Sequence, residues 1–317
     1  MSTRFLLFGG TGFLGAALAE ALVSRHADVV TISRRQAAGR PMIRHVRADI
    51  TRPRSLERII GSGDVVINLV GLSPVQRPVR GRAAYRDVHV RGTANLLEAA
   101  ISAGARGFVY LSALGVRTHA GAAYAETKAR AEAIVRARCS KAGIPYTIVA
   151  PSVLFGGGSE ITGFLQQVGR LWPDPLPVPL PQHPGRFRPV HVDDAAAHIA
   201  DALMAGDGQG ADRQRSDAAS PGKPPGGQPG VLPDYLPVTG PEALSFDELA
   251  AVMLRAVGLR TTPLPRMVSA ALIAVISMLK LPGVPSELNA MLAIDNEGPA
   301  PGEAEGMQRF TEWVQGR

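Results

Sequence analysis

Tyr124 and Lys128 stand four residues apart in the stretch YAETK. On a helix that spacing puts both side chains on one face. A phenol beside an ammonium is a proton-transfer pair, because the cation favours the phenolate and so tunes the hydroxyl as an acid or base. The text around them, AETKARAEAIVRARCSKAG, has helical periodicity, closes on a glycine and follows the apolar run GFVYLSAL. The sequence therefore predicts a strand that hands the chain to a helix carrying both groups.

A second signature opens the chain. In RFLLFGGTGFLGAALAEAL an apolar strand runs into Gly9, Gly12 and Gly15, spaced G-x-x-G-x-x-G, and then into a helix. One glycine permits a tight turn, another lets backbone approach a pyrophosphate, and the last allows close helix packing. The helix N-terminus then offers free N–H groups and its dipole to negative charge. Thr11, Phe13 and Leu14 lie in the same turn and are expected with the glycines at a dinucleotide. Glycines used only for turn geometry are the competing explanation; a P-loop is excluded because no Gly-Lys-Ser/Thr follows.

The next strand, DVVTISRR, should end at the adenosine ribose. NAD sites usually place an acid there, whereas this chain has Ser33, Arg34 and Arg35. Arginine supplies charge and a bidentate donor fork for a ribose 2′-phosphate, so NADP(H) is expected ahead of NAD(H). Two merely exposed arginines are the alternative. RADIT puts Asp49 and Ile50 after a third strand, beside the adenine, and NLVG puts Val70 and Gly71 at the following strand end, towards the adenosine and pyrophosphate.

Strands and helices alternate throughout this first half. DVVINLVG, GFVYLSAL and YTIVAPSVLFG are continuous apolar runs, and TANLLEAAISAG is an amphipathic helix ended by glycine. That alternation predicts an α/β fold: a Rossmann-type doubly wound parallel sheet covered on both faces, with a smaller C-terminal lobe for substrate or partner. Residues 1–158 form the NAD(P)-binding domain. Residues 159–317 form a mixed region in which 186–205 return to that domain, 206–232 (rich in Gly, Pro, Ser and charge) form a disordered loop, and the remainder builds the lobe. A partner-binding role is the alternative for the loop. After it, YLPVTG reads as one more strand and LSFDELAAVMLRAVG as a serine-capped helix.

Composition narrows the partners. The 317 residues are 45% hydrophobic, enough for a sizeable core, and Cys139 stands alone, so no internal disulfide forms and a reducing, cytoplasmic setting is expected. The N-terminus shows no secretory pattern. A net charge of +7 favours anionic partners, but with aromatics at only 5% nucleic acid is not expected. The uncharged run Met267–Leu279 is too short to span a bilayer, for which about 20 apolar residues are needed. It is either a helix buried in the lobe or one lying on a membrane or partner, which would place the protein peripherally at the inner face of the membrane. Asp193, Asp194, His191 and His198 read as a strand, a helix cap and a helix, not a metal site.

Taken in order, GGTGFLG, ADIT, VINLVG, HVRGTANLLEAA, YLSALGV, YAETKARAE, APSVLFGGG and FRPVHVDDAAAHIADAL resemble the corresponding segments of extended short-chain dehydrogenases/reductases. The chain is most similar to the atypical, NDUFA-nine-like branch, relatives of the nucleotide-binding accessory subunit of respiratory complex I. Branch membership rests on SALG, VTGPEALSFDELA and MLAIDN. The resemblance implies that Tyr124 exchanges a proton with the substrate oxygen, and that Lys128 holds the nicotinamide ribose and lowers the tyrosine pKa. It implies that Pro151, Ser152 and Val153 approach the nicotinamide, with a structural strand-to-loop turn as the other reading. Relatives carry Ser or Thr to hydrogen-bond the substrate carbonyl where this chain has Ala113; Ser112, next to it, is the expected substitute if the backbone turns it inward. His89 replaces a frequent asparagine, either donating a hydrogen bond and titrating near neutrality or serving structure.

Two functions follow. One is an NADP(H)-dependent oxidoreductase or epimerase-like enzyme that moves hydride to or from a carbonyl or alcohol of an apolar small-molecule substrate. The other is a non-catalytic accessory or assembly protein that holds NADPH in a membrane-associated respiratory or quinone-related complex.

Overall fold

A computed structural model describes residues 3–37, 42–74, 81–116, 122–171, 176–182, 185–206, 233–265, 267–269 and 308–316. The stretch 207–232 and most of the 267–279 run, both singled out in the sequence, lie outside the described residues.

The first half alternates strand and helix: β1 (Arg4–Phe8), α1 (Phe13–Val23), β2 (Asp28–Ser33), β3 (Arg44–Arg47), β4 (Val65–Asn68), α2 (Arg82–Tyr85), α3 (Thr93–Ser102), β5 (Gly107–Leu111), α4 (Ala123–Ala142) and β6 (Tyr146–Pro151). A π-helical turn, Arg86–Gly92, joins α2 to α3. The chain continues through β7 (Leu154–Phe155), α5 (Glu160–Leu171), β8 (Val178–Leu180), β9 (Arg186–Phe187), β10 (Val190–His191) and α6 (Val192–Gly206). It ends with β11 (Tyr235–Val238), β12 (Leu244–Ser245), α7 (Phe246–Ala256), β13 (Thr261–Pro263) and α8 (Phe310–Gln315).

Seven strands form one sheet in the order β11-β6-β5-β4-β1-β2-β3, and every pairing in it is parallel. Parallel strands need crossover helices, and these cover both faces. On one face α1 and α6 pack with Leu7, Ile67, Val109 and Val149; on the other, Leu96, Leu97, Ala131 and Val135 from α3 and α4 meet Leu6, Val66 and Ile148. Burial on both faces is why these strands read as unbroken apolar runs. The strand order reverses between β1 and β4, and the crevice at their C-terminal ends is where such sheets bind ligands.

The smaller lobe has its own core, Phe155, Ile161, Leu165, Leu249, Met253 and Phe310. Ser245 caps α7 through a capping box: its Oγ accepts from the Glu248 N–H (3.3 Å) and its N–H donates to Glu248 Oε2 (2.7 Å). Asp193 and Asp194 lie within the first turn of α6, which starts at Val192, so neither caps it from outside. Among the described residues no helix is long and apolar enough to cross a membrane.

The turn after β1 is closed by contact. Gly9 has φ +87°, a conformation costly for any other residue, and a Cβ there would lie 3.0 Å from the Leu69 carbonyl carbon. A Cβ on Gly15 would penetrate the Gly9 carbonyl oxygen and sit 2.8 Å from Gly10 Cα, so α1 can approach β1 only with hydrogen there. Gly15→Ala should therefore lower the free energy of unfolding by about 1–3 kcal/mol. Gly163→Ala on α5, where nothing lies within 4 Å, should raise it by about 0.5–1 kcal/mol. Urea unfolding of the two variants beside the parent checks both signs.

Candidate functional site

The crevice is lined first by the glycine turn. The Ala16 N–H makes the first intrahelical bond, to the Gly12 carbonyl, which leaves the N–H groups of Phe13, Leu14 and Gly15 without helical acceptors. Thr11 and Gly12 are exposed and Phe13 half-buried, whereas the Leu14 side chain belongs to the core and only its backbone can serve a ligand. Gly10, which the sequence reading passed over, is as constrained as its neighbours: a Cβ would sit 2.7 Å from Thr31 Cγ2. Its signal was present in the doubled glycine.

Across the crevice, Asn68 fixes the end of β4. It is fully buried, accepts the Val70 N–H on Oδ1 (3.1 Å) and donates from Nδ2 to Thr93 Oγ1 (3.0 Å). This holds Val70 and Gly71 opposite the glycine turn. A polar residue inside VVINLV was the clue that went unused.

At the end of β2 the backbone of Arg34 and Arg35 is pinned. Arg47 Nε donates to the Arg34 carbonyl (3.1 Å), while Ser33 Oγ (2.7 Å) and His45 Nε2 (3.1 Å) donate to that of Arg35. Both side chains project into solvent, and among the described residues neither guanidinium has a carboxylate partner. Asp49 and Ile50 also make contacts within the protein. Asp49 Oδ1 accepts from the Thr51 N–H (2.9 Å) and hydroxyl (2.7 Å), and the Ile50 carbonyl accepts from Asn95 Nδ2 (3.0 Å). The Ile50 side chain is in the core against Gly92.

The α4 helix brings the proton-transfer pair to the same crevice. Lys128 is buried, donates from Nζ to the Leu111 carbonyl (2.6 Å) and lies 5.1 Å from the Tyr110 ring centre. A Cβ on Gly71 would be 3.3 Å from this Nζ, so the glycine leaves the ammonium room at the crevice floor. Burial lowers the Lys128 pKa to about 8, with Glu132 opposing the shift. Tyr124 is half-buried and stacks edge-on with Tyr85 (6.1 Å) and His89 (5.6 Å). Burial, then Tyr85 and Glu160, hold its phenol above the ordinary value. Tyr124 is thus a protonated phenol at neutral pH.

His89 resolves as a strut. The Leu72 N–H can only donate, so Nε2 accepts it (2.9 Å) and the ring proton sits on Nδ1, which donates to Thr127 Oγ1 (2.9 Å). Thr127 in turn donates to the Ala123 carbonyl (2.6 Å). Burial and then Lys128 hold the imidazole well below its ordinary pKa, so it is neutral. It ties the loop after β4 to α4, and the π-helical turn is what aims it there.

Ser112 requires a correction. Its hydroxyl is buried and donates its one proton to Glu132 Oε1 (2.5 Å), so it does not replace the serine or threonine that polarises a carbonyl. Consecutive residues at a strand end face opposite ways; Ser112 turns under α4, and Ala113 packs in the cluster that includes Tyr124.

Pro151, Ser152 and Val153 form a laced passage between sheet and lobe. The Pro151 carbonyl accepts from the Leu114 N–H (2.9 Å) and that of Val153 from the Val190 N–H (2.9 Å). The Ser152 N–H donates to the Val238 carbonyl (2.9 Å), and its Oγ accepts from the Arg188 N–H (3.2 Å). Beyond it, a cleft of about 530 Å³ lies between the Gly156–Ser159 turn, α5, α7 and α8. Among the described residues Glu160 is its only charged lining group; Gln166, Met253 and Trp313 are among the others. Among the described residues, too, no group of three or more His, Cys, Asp or Glu converges as a metal site.

Residues 5–211 match the model of the NAD dependent epimerase/dehydratase family. Curated relatives include a ceramide reductase of Caulobacter vibrioides, 32% identical over 60% of this chain and 58% of that protein. Subunit 9 of the mitochondrial NADH dehydrogenase (ubiquinone) 1 alpha subcomplex of Dictyostelium discoideum is 26% identical over 61% and 53%. A 3-beta-hydroxysteroid dehydrogenase of Mycolicibacterium neoaurum is 28% identical over 50% and 49%, so the chain spans only about half the length of these relatives. In fold, the UDP-glucose 4-epimerase of Thermus thermophilus, solved with NAD, superposes with a TM-score of 0.64 at 18% identity over 99% of this chain and 97% of that one. The family match covers well over half the sequence and includes both the glycine turn and the Tyr124–Lys128 helix, and the chain belongs to the NAD dependent epimerase/dehydratase family.

Proposed function

We propose that the protein is an NADP(H)-dependent oxidoreductase acting on a carbonyl or secondary alcohol of an uncharged, largely apolar substrate. The observation that carries this reading is the convergence of Tyr124, Lys128 and the glycine turn on one crevice, with Lys128 Nζ against Gly71. The residues fit a dinucleotide: the turn has no room for side chains where a pyrophosphate would approach, and among the described residues Arg34 and Arg35 have no carboxylate partner beside the second strand end. When bound, the nicotinamide supplies or accepts the hydride.

The chain's own residues do the rest. Tyr124, kept protonated by burial, gives its phenolic proton to the substrate oxygen during reduction and recovers it in reverse. The Lys128 ammonium, anchored on the Leu111 carbonyl, favours the phenolate left behind and offers its remaining N–H groups to a ribose hydroxyl. The neutral His89 strut holds Tyr124 and the β4 loop in register. Ala113 supplies no donor to the carbonyl, so among the described residues polarisation falls to Tyr124 and turnover should be modest.

Among the described residues Glu160 is the one charged group lining the cleft, a lining that suits an uncharged substrate better than a nucleotide diphosphate, whose phosphates need cations. The names of two relatives, a ceramide reductase and a hydroxysteroid dehydrogenase, support a lipid alcohol or ketone. A second reading has its own observations. Ser112 is committed to Glu132, Ala113 is inert, and one relative is a subunit of a respiratory complex. On that reading the protein holds NADPH without turnover and docks peripherally at the inner face of a membrane, where exposed Met267 and Val268 and a net charge of +7 would serve it.

Arg34→Asp should weaken NADPH binding about 10- to 150-fold relative to NADH, the loss of a charge-assisted contact of about 1.5–3 kcal/mol; an unchanged preference in a binding titration would remove the basis for NADP(H). Tyr124→Phe should cut turnover of a reducible lipid ketone by at least about 100-fold and leave NADPH affinity intact. Retained turnover would place the proton donor elsewhere. For Lys128, the unfolded chain keeps the proton up to about pH 10.5 while the fold releases it near 8. Stability of the parent relative to Lys128→Met should thus rise between pH 8 and 10.5, by up to about 3 kcal/mol, as urea unfolding across that window would show.

A further inference from the structure

The i, i+4 pair continues for one more step. Tyr124, Lys128 and Glu132 follow at four-residue spacing on one face of α4, and Glu132 is only 2% exposed. A carboxylate so buried is costly unless it is hydrogen-bonded and near positive charge. Oε1 accepts from Ser112 Oγ (2.5 Å) and Oε2 from Arg136 Nη2 (3.0 Å), the next residue of the same series. Ser112 directly follows Leu111, whose carbonyl holds the Lys128 ammonium. One side chain therefore touches both the helix and the strand end on which Lys128 rests.

We propose that Glu132 is a positioning residue for the Tyr124–Lys128 pair: through Ser112 it fixes the strand end that carries the Leu111 carbonyl, and through its charge, one helical turn away, it keeps Lys128 protonated. The inference rests on the oxidoreductase reading for its purpose, not for its electrostatics. Among the described residues, the other groups facing Lys128 cannot supply the charge. His89, from the π-helical turn, is neutral; Tyr110, from β5, and Tyr124 are un-ionised at neutral pH; Gly71 contributes only backbone. Arg136 is a cation beyond Glu132 and acts in the opposite sense. Glu132 opposes the burial that lowers the lysine pKa.

The test is direct because the chain has four lysines, Lys128, Lys141, Lys223 and Lys280. In protein labelled with 13C at lysine Cε, the Lys128 signal is the one absent from Lys128→Met, and its pH titration can be followed without substrate. In Glu132→Gln, an uncharged near-isostere that can still accept from Ser112, the midpoint should fall by about one pH unit or more. In Arg136→Met, which removes the opposing cation and keeps the carboxylate, it should stay or rise. If Glu132→Gln does not fold, Glu132→Asp keeps the charge on a shorter arm and should leave the midpoint within about half a unit while disturbing the Ser112 contact. A Glu132→Gln midpoint within about 0.2 unit of the parent, or one that falls equally in Arg136→Met, overturns the proposal. Because the readout is a titration, failure of the enzyme reading would leave it standing, and the two are separable. NADPH affinity measured alongside shows whether the charge serves the nucleotide: a loss in Glu132→Gln that grows between pH 6.5 and 8.5 supports the role, and a pH-independent loss contradicts it.

Discussion

Everything in the site depends on one buried ammonium. Lys128 is held under the sheet end by the Leu111 carbonyl, with the backbone of Gly71 against it and a tyrosine on the helical turn above. Burying a cation is unfavourable, and the surroundings are arranged to limit that cost without removing the charge. The carbonyl supplies a hydrogen bond, Glu132 supplies opposite charge, and the neutral tautomer of His89 avoids adding a second cation. The same burial acts the other way on Tyr124, raising its pKa and leaving it an acid. A base-like lysine and an acid-like tyrosine thus arise from one low-dielectric setting, which pushes both groups towards neutrality.

The fold delivers these groups because a parallel sheet must place its connections at its ends. The strand order reverses at β1 and β4, and the loops that leave those strands cannot cover the opening between them. Gly9 and Gly15 let α1 start close against β1, and Asn68 pins the other wall. The helix α4 returns from the end of β5, so the pair at its start meets the crevice floor. Tyr85, His89 and Thr127 then join three separate segments behind Tyr124.

How much of this was legible depends on range. The glycine turn, the arginines after β2 and the Tyr124–Lys128 face are set by local spacing, and local spacing is what a sequence displays. Ser112 was misread because a strand end offers two faces, and which residue turns towards the ligand follows from α4 packing beneath it. Asp49 and Ile50 follow the third strand as the sequence indicates, and their contacts with Thr51 and Asn95 are ones that only the closed loop reveals. His89 could not be assigned from its type alone, since its tautomer is fixed by a backbone N–H 17 residues away. The cleft could not be read at all, being assembled from residues 156–166, 253–257 and 313–314. Glu132 was legible in retrospect as the third member of a four-residue series.

The measurement that bears most directly on the central claim is the identity and exchange rate of the nucleotide carried by freshly purified protein, read by mass and by challenge with labelled NADPH and NADH. A redox site that uses its nucleotide as a cosubstrate should release it within seconds and take up NADPH in preference to NADH. Nucleotide retained for hours against a large excess of label would contradict the account, because a cosubstrate must leave to be renewed.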